Sequence, residues 1–345
     1  MTHFEREIRE QPEVLRRLLA DPTPAEVGAA LRDAAPAPTV VLSLARGSSD
    51  NAVTFFAYLV GLTLGLPVAS VPPSLVTLHQ ARLRSERALV VGVSQSGESQ
   101  DVVGAVHALA ATGALSLGVH NRPGSALDRV CDLSVRLGAG EELAVAASKT
   151  FSSQMMALGR VVAEWADDDA LRRALAEVPG AIERLLADPA AIDAAAVRLT
   201  HAEQLDVLGR GLAFGPALEI ALKLKETSYL HAHAYSSAEF QHGPIASLGP
   251  GDPLLLLGLV GASAPTTLDA ARRLRDTGAH LTVVASDPEL LDLASAAVPI
   301  APADSPVVQA FVHVVVGQWL ALRLAAERGL DPDAPRHLRK VTQTR

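Results

Sequence analysis

A strand–turn–helix–strand pattern occurs twice in this chain, and the repeat constrains the fold more than any other feature. Each of two segments contains an apolar run that ends at a glycine, a polar turn, a helical pattern and another apolar run: RALVVGVSQSGESQDVVGAVHALAATGALSLGVHN and DPLLLLGLVGASAPTTLDAARRLRDTGAHLTVVAS. Gly92 aligns with Gly258, an offset of about 165 residues. Strands that alternate with helices form parallel sheets covered by helices. The sequence therefore predicts two copies of one α/β domain.

The repeat also sets the predicted domain boundaries. The motif LARGSS (44–49) aligns with LGRGLA (208–213) at nearly the same offset. The charged, alanine-rich stretch between the two copies lacks strand patterns and is predicted to be helical. We expect an N-terminal helical segment (1–27), a first domain with a flavodoxin- or Rossmann-like parallel sheet (28–165), a helical connector (166–197), a second such domain (198–330) and a C-terminal tail (331–345).

Composition indicates a globular protein and argues against several classes of protein. Of the 345 residues, 49% are hydrophobic and 20% are charged, which suits two core-forming domains. Cys131 is the single cysteine, so an internal disulfide and a cysteine zinc cluster are excluded, in agreement with a reducing compartment. We expect no apolar run long enough to span a membrane and no signal peptide, and hence a cytoplasmic protein. The net charge of −8 argues against binding to nucleic acids.

Hydroxyl groups cluster directly after the apolar run of the first copy, in the motif SQSGES. The second copy has LVGASAPT there and lacks most of these hydroxyls. A strand-to-helix turn presents free N–H groups and the positive end of a helix dipole, which favours a phosphate monoester. The alternative is that the serines only cap the helix. The residues predicted to bind phosphate are Ser94, Gln95, Ser96 and Ser99, joined by Ser48 and Ser49 of the preceding turn.

A second group of charged residues lies on a predicted helix. Glu219, Lys223 and Glu226 recur at spacings of four and three, so they share one helix face. Such triples are usually solvated salt bridges. Here the flanking residues are apolar on almost all sides, so burial must be compensated by pairing or by function. His242, in the loop QHGP, has a side chain suited to proton transfer near neutral pH.

Two other features predict neither a metal nor a cofactor. His231 and His233 are expected on a turn and have no acidic or cysteine partner at metal-ligand spacing. The segment GRGLAFG resembles a dinucleotide-binding loop. The segment after its helix, TSYLHAHAYSSAEF, is not expected to form the strand ending in an acid that such a site requires.

Four motifs together resemble a known family. SQSGES, VAASKTF, ALEIALKLKETSYLHAHAYSSAEFQHGP and PRHLRKVTQT are similar to the isomerase half of glutamine–fructose-6-phosphate aminotransferase, which is built of two sugar isomerase (SIS) domains. The order and spacing of the motifs match over nearly the whole chain, from EIREQP onward. The resemblance implies two tandem SIS domains and a sugar-phosphate substrate.

The resemblance also implies residue roles. Ser94, Gln95, Ser96 and Ser99 would hold the phosphate, and Ser49 and Val145 would line the sugar. Glu226 would move a proton between carbons 1 and 2, His242 would assist ring opening, and Lys340 would reach the carbonyl as a Schiff base. Glu219, Lys223 and Arg336 would support that site. A homodimer is expected, in which His242 reaches across from the second subunit.

Departures from the family pattern bear on the reaction. Thr2 follows Met1 where the family's amidotransferases carry a cysteine, so no glutaminase activity is expected. Arg339 replaces a small residue, and His233 replaces an acid. We predict an amino-sugar phosphate deaminase and aldose–ketose isomerase, acting on glucosamine-6-phosphate or a similar hexosamine-6-phosphate and giving a fructose-6-phosphate-type product. The alternatives are a fructosamine-6-phosphate deglycase and a non-catalytic sugar-phosphate-binding protein.

Overall fold

The computed structural model describes residues 1–340, and the predicted tail residues 341–345 lie outside the described part. The chain divides into two compact units. The first unit comprises Glu13–Glu142, Lys149–Ala176 and residues 339–340, and the second comprises Met1–Pro12, Leu143–Ser148 and Glu177–Leu338. Both units are layered α/β structures, each with a five-stranded parallel sheet, as the repeat predicts.

Helices and strands alternate along most of the chain. The helices are α1 (His3–Arg9), α2 (Gln11–Ala20), α3 (Thr23–Arg32), α4 (Ser48–Leu64), α5 (Pro73–Thr77), α6 (Gln100–Ala110), α7 (Ala126–Val130), α8 (Lys149–Trp165), α9 (Asp169–Ala187), α10 (Ala190–Arg198), α11 (Phe214–Ser228), α12 (Ser237–Phe240), α13 (Ala264–Asp276), α14 (Pro288–Leu291) and α15 (Pro306–Glu327). The strands are β1 (Val40–Leu44), β2 (Val68–Ser70), β3 (Ala88–Ser94), β4 (Leu115–His120), β5 (Leu133–Arg136), β6 (Gln204–Gly209), β7 (His231–Ser236), β8 (Pro253–Leu257), β9 (His280–Ala285) and β10 (Ala296–Pro299).

The sheet of the first unit has the strand order β2-β1-β3-β4-β5. All seven residues of β3 are buried, which explains its nearly continuous apolar sequence. Helix α6 covers this strand because its apolar residues recur at helical spacing: Val102, Ala105, Val106 and Leu109 are all buried in the same core as Val90. Since β1 pairs with β3 in parallel, the turns that follow these two strands lie at the same edge of the sheet.

The sheet of the second unit has the order β10-β9-β8-β6-β7. Its edge strand β7 corrects the expectation that His231 and His233 lie on a turn, since both belong to a strand that pairs with β6 in parallel. Their side chains alternate with the buried Ala232 and point to the exposed face, where His233 is 62% exposed. In the same unit, α15 packs so closely on α11 that a Cβ at Gly317 would overlap Ile220.

Helix α15 also departs from what the sequence indicated about apolar runs. It is long and apolar enough to cross a membrane by length and composition, with a mean hydropathy of 1.5 over its most apolar 18 residues. However, 94% of that window is buried within the protein. The helix is therefore a core element of the second unit. A buried core helix can be as long and as apolar as a membrane-spanning helix.

Candidate active site

The turn between β3 and α6 is folded tightly around Gly97. This glycine has a φ of +66°, and its N–H donates to the Oγ of Ser94 at 3.1 Å. A Cβ at this position would overlap the Ser125 side chain. Only glycine fits both the left-handed backbone and the close approach. The glycine in SQSGES therefore shapes the turn that presents the surrounding hydroxyls.

The serines of this turn do not cap α6 in the usual way. Ser99 is the N-cap residue, yet its side chain makes no capping hydrogen bond and lies 3.3 Å from the Ser94 Oγ. Ser96 accepts a hydrogen bond from the Glu98 N–H at 3.2 Å within the turn. Gln95 is half-buried. The hydroxyls of Ser94 and Ser99 thus remain beside the start of α6, where an anion would benefit from the helix dipole.

The neighbouring turn, between β1 and α4, brings Ser48 and Ser49 to the same sheet edge, since Leu44 pairs with Gly92. Ser49 is buried and accepts a hydrogen bond from the Gln154 Nε2 at 2.9 Å. Sequence reasoning missed Gln154, because nothing in the pattern of α8 marks it as different from other core positions. Its amide fixes the position of the Ser49 hydroxyl.

Lys340 is held by a buried carboxylate. Its Nζ lies 2.6 Å from the Oε2 of Glu142, whose side chain is fully buried. The Thr150 N–H and Oγ1 also donate to this carboxylate, at 3.0 and 2.7 Å. Burial opposes ionisation, but the Lys340 ammonium and the Thr150 donors outweigh it and lower the pKa of Glu142. The Lys340 side chain is therefore held in place by Glu142.

Val145 lies in the second unit, on the loop 143–148, and is half-buried. The N–H groups of Leu143 and Ala144 donate to the two oxygens of Glu7, at 2.5 and 3.2 Å. Glu7 is fully buried on α1. Sequence reasoning missed this residue as well. Its carboxylate holds the loop that carries Val145.

The charged face of α11 is a buried cluster and not a solvated stripe. The Lys223 Nζ lies 3.3 Å from the Glu219 Oε1 and 2.5 Å from the Glu226 Oε2. Glu219 and Lys223 are fully buried, whereas the Glu226 side chain is 18% exposed. Burial would lower the pKa of Lys223, but the two carboxylates raise it well above its ordinary value. The cluster therefore contains a buried ammonium between two carboxylates, of which that of Glu226 is partly exposed.

Arg336 lies at the C-terminal end of the same helix. Its guanidinium stacks on the ring of Tyr229, 4.5 Å from the ring centroid, and the Arg336 backbone N–H donates to the Tyr229 hydroxyl at 3.0 Å. Tyr229 is the C-cap residue of α11 and has a φ of +55°. The structure thus brings Arg336 to the end of the helix that carries Glu226.

His242 lies apart from this cluster. It is exposed in the loop after α12, where its N–H donates to the Glu239 carbonyl at 2.9 Å. Within the described residues, no contact joins His242 to the charged groups of α11. Nor does the described part of the chain contain three or more histidine, cysteine or acidic side chains placed to hold a metal.

The sequence profile of the SIS domain matches residues 37–163 and 198–328. The chain belongs to the SIS domain family. Each match contains one of the two five-stranded sheets, so the internal repeat corresponds to two SIS domains. The exact boundaries predicted from the sequence stay predictions.

Curated relatives of this SIS protein are glutamine–fructose-6-phosphate aminotransferases. The enzyme of Methanothermobacter thermautotrophicus is 33% identical over 299 residues, covering 86% of this chain and 50% of the relative. That of Gloeobacter violaceus is 33% identical over 352 residues, covering 97% of this chain and 57% of the relative. The chain spans about half the length of these relatives and is homologous to their isomerase half.

Solved structures are similar to nearly the whole chain. A proposed phosphosugar isomerase from Silicibacter pomeroyi DSS-3 has a TM-score of 0.87 at 35% identity, covering 96% of this chain and 100% of the other. The C-terminal domain of glucosamine-fructose-6-phosphate aminotransferase from Francisella tularensis has a TM-score of 0.86 at 24% identity, covering 97% and 98%. The second similarity shows a shared fold.

Proposed function

We propose that this SIS protein is an amino-sugar 6-phosphate deaminase and aldose–ketose isomerase. Its substrate would be glucosamine-6-phosphate or a similar hexosamine-6-phosphate, and its products ammonia and a ketose 6-phosphate. The observation that carries the proposal is the pair formed by Lys340 and the buried Glu142. A non-catalytic binding protein has no need of a lysine held by a fully buried carboxylate. A homodimer and a cytoplasmic location are part of the same proposal.

The substrate phosphate is assigned to the β3–α6 turn. Ser94, Ser96 and Ser99 supply hydroxyl groups, and the N-terminal end of α6 supplies partial positive charge. Gln95 adds an amide at the same turn, and Ser48 and Ser49 come from the neighbouring turn. This arrangement suits a phosphate monoester better than a neutral sugar, since the positive end of the α6 dipole favours a negative charge.

Proton transfer between carbons 1 and 2 is assigned to Glu226. The carboxylate is accessible, and the Lys223 ammonium fixes one of its oxygens while Glu219 balances the buried charge. A positioned carboxylate of this kind can take a proton from one carbon and return it to the next. His242 is proposed to open the sugar ring by proton transfer, and Val145 and Arg336 to complete the binding of the open chain.

Lys340 is proposed to form an imine at carbon 2 of the open chain. After Glu226 has moved the proton from carbon 2 to carbon 1, carbon 2 is bound to the substrate's own nitrogen as an imine. The Lys340 amine, having given up a proton to that nitrogen, attacks carbon 2, and ammonia leaves as the bond from carbon 2 to the substrate nitrogen breaks. The protonated imine keeps one positive charge, so its interaction with the ionised Glu142 survives the step. Hydrolysis returns the lysine and the ketose phosphate.

A substrate panel tests this function. Amino-sugar 6-phosphates with different configurations at carbon 4 are incubated with the protein, and ammonia and ketose phosphate are measured separately. We expect both products in equal amounts from at least one hexosamine-6-phosphate. Cleavage of a 6-phosphofructosyl amino acid without ammonia release would support a deglycase instead. Binding without any turnover would support the non-catalytic alternative.

Borohydride reduction tests the imine. In the presence of a ketose phosphate, reduction should attach the sugar covalently to Lys340, as located by peptide mass spectrometry. Lys340→Arg keeps the charge next to Glu142 but forms no imine, so this variant should give no adduct. An adduct on another lysine would contradict the assignment of Lys340.

A further inference from the structure

The arginine that follows the first strand has different contacts in the two SIS domains. In the first unit, Arg46 follows β1, and its Nε and Nη2 both lie 2.8 Å from the Oδ2 of Asp101, at the start of α6. Its counterpart in the repeat, Arg210, follows β6. Helix α13, the counterpart of α6, begins with Ala-Pro-Thr-Thr and offers no acid there. Within residues 1–340, Arg210 contacts the Ser236 hydroxyl at 3.4 Å and no carboxylate.

Arg210 opens onto a cavity of about 220 Å³ within the second unit. We call this cavity the arginine pocket; it is lined by Arg210, Ser237, Ala238, Gln241, Thr266, Asp269 and Arg273. Arg273, on α13, donates to the Oε1 of Gln241 at 2.7 Å and, in the described part of the chain, also has no carboxylate partner. The one acid of the lining, Asp269, lies 3.2 Å from Arg272, outside the pocket. The lining therefore carries an excess of positive charge.

Ser237 lines the same cavity. The residue as a whole is only 3% exposed, and its hydroxyl makes no hydrogen bond to any residue that the structure describes. A serine hydroxyl can donate a hydrogen bond to an anion. Two guanidinium groups and one hydroxyl around a small cavity are a suitable set of donors for an anion.

We propose that the arginine pocket is a second anion site, which binds the phosphate group of a small phosphorylated metabolite. The ion pair that satisfies Arg46 inside the first domain is missing in the second, and the ligand would supply the negative charge that Asp101 supplies to Arg46. The cavity is smaller than the roughly 300–1,000 Å³ of sites for drug-sized ligands, so it suits one phosphate with a short carbon chain.

The position of the pocket gives the second site a regulatory role. Gln241, which accepts the hydrogen bond from Arg273, directly precedes His242 in the chain. An anion held by Arg273 next to Ser237 and Gln241 would restrain the loop that carries His242. This consequence rests on the proposed function, in which His242 opens the sugar ring. The anion site itself does not depend on it.

Calorimetric titration with inorganic phosphate at low salt tests the site, using the full chain with Ser96→Ala to weaken the β3–α6 turn. Arg210→Gln and Arg273→Gln should each lower the remaining phosphate affinity about tenfold or more, as for a lost charge-assisted hydrogen bond. Arg275→Gln is the matched control: it removes the same charge from α13, but Arg275 pairs with Asp276 and does not line the pocket. The phosphate affinity of the chain with both Ser96→Ala and Arg275→Gln should match that of the chain with Ser96→Ala alone.

Equal phosphate affinity of all three arginine variants would overturn the proposal. Hydrogen exchange of residues 237–248, measured with and without phosphate in the Ser96→Ala chain, tests the link to the loop. Slower exchange that is lost in Arg273→Gln is expected, and exchange unaffected by bound phosphate would overturn the regulatory role. Neither result depends on which sugar is turned over, so failure of the proposed deaminase activity would be seen separately, in the substrate panel.

Discussion

The Ser96 hydroxyl allows the sharpest test of phosphate binding at a single residue. Its described hydrogen bond, from the Glu98 N–H, stays within the turn. Ser96→Ala should therefore leave the fold intact while weakening sugar-phosphate binding by about 1–3 kcal/mol, the range for a hydrogen bond to a charged group. Calorimetry with a hexose 6-phosphate measures the change.

Thr39→Ala is the matched control for Ser96→Ala. Thr39 is an exposed hydroxyl residue just before β1, at the edge of the same sheet opposite the β3–α6 turn. Its removal should not change the affinity. If Ser96→Ala and Thr39→Ala bind sugar phosphate equally well, the serines of the turn have only a local structural role.

Glu226 is the residue at which proton transfer can be separated from binding. Glu226→Gln keeps the shape of the side chain and a contact to Lys223, but the amide cannot take a proton from carbon. We expect nearly unchanged sugar-phosphate affinity and a loss on the order of a hundredfold or more in exchange of the carbon-bound hydrogen with solvent. Proton NMR in heavy water measures this exchange. Glu203→Gln alters an exposed glutamate before β6, and this variant should exchange the carbon-bound hydrogen at the normal rate. Retained exchange in Glu226→Gln would assign Glu226 to a structural role.

At the scale of a helix, the stability of α11 in the folded protein depends on the balance of charge around Lys223. Lys223→Met leaves Glu219 buried without its cation, and breaking such a buried pair costs about 3–5 kcal/mol of unfolding free energy. The double variant Glu219→Gln/Lys223→Met should recover much of that loss. Lys225→Met, at an exposed position of the same helix, should have little effect. Urea unfolding distinguishes these results, and a single variant as stable as Lys225→Met would mean that the cluster carries no buried charge.

Helix α15 contains a residue that makes the protein sensitive to acid. His313 is fully buried, and burial lowers its pKa to about 3, although the Val284 carbonyl slightly favours the charged form. The unfolded chain takes up a proton below pH 6.5, the ordinary pKa, while the folded chain does so only near 3. Stability should therefore fall as the pH decreases through this range, by an amount on the order of a few kcal/mol.

His313→Phe should remove this part of the acid sensitivity. Its stability is expected to change less than that of the original chain between pH 7 and pH 4, as measured by thermal unfolding at each pH. His201→Gln, which alters an exposed histidine before β6, should keep the original pH dependence. An unchanged pH dependence in His313→Phe would mean that folding does not shift the pKa of His313.

The elements that could be predicted from the sequence are those with strong periodicity. The buried strand β3 and the amphipathic helix α6 follow directly from their apolar patterns. Strand β7 was missed because its buried position is an alanine, which has a low strand propensity, between two exposed histidines. Its place at the sheet edge comes from pairing with β6, which no local pattern shows.

At the scale of the whole chain, the limits of sequence reasoning come from long-range pairing. The cluster on α11 lies within two helical turns and could be predicted from spacing alone. Glu142 and Lys340 are separated by 198 positions, and neither has a distinctive neighbour, so only the folded chain shows that they meet. The same holds for Glu7, which holds the loop of Val145 over 136 positions. The SIS resemblance supplied Lys340 but not its carboxylate partner.

The assembly can be tested by mixing two inactive variants. In the proposed homodimer, each site combines Glu226 of one subunit with His242 of the other, so Glu226→Gln and His242→Ala should both be inactive alone. After unfolding and refolding of an equal mixture, half of the dimers contain one chain of each kind, and each such dimer has one intact site. Activity should then recover to about a quarter of the original, as expected for a two-fold symmetric interface. Light scattering checks that the mixture is dimeric. If Glu226 and His242 of one site came from the same chain, each of the two sites in the mixed dimer would carry one of the two changes, and recovery would be absent.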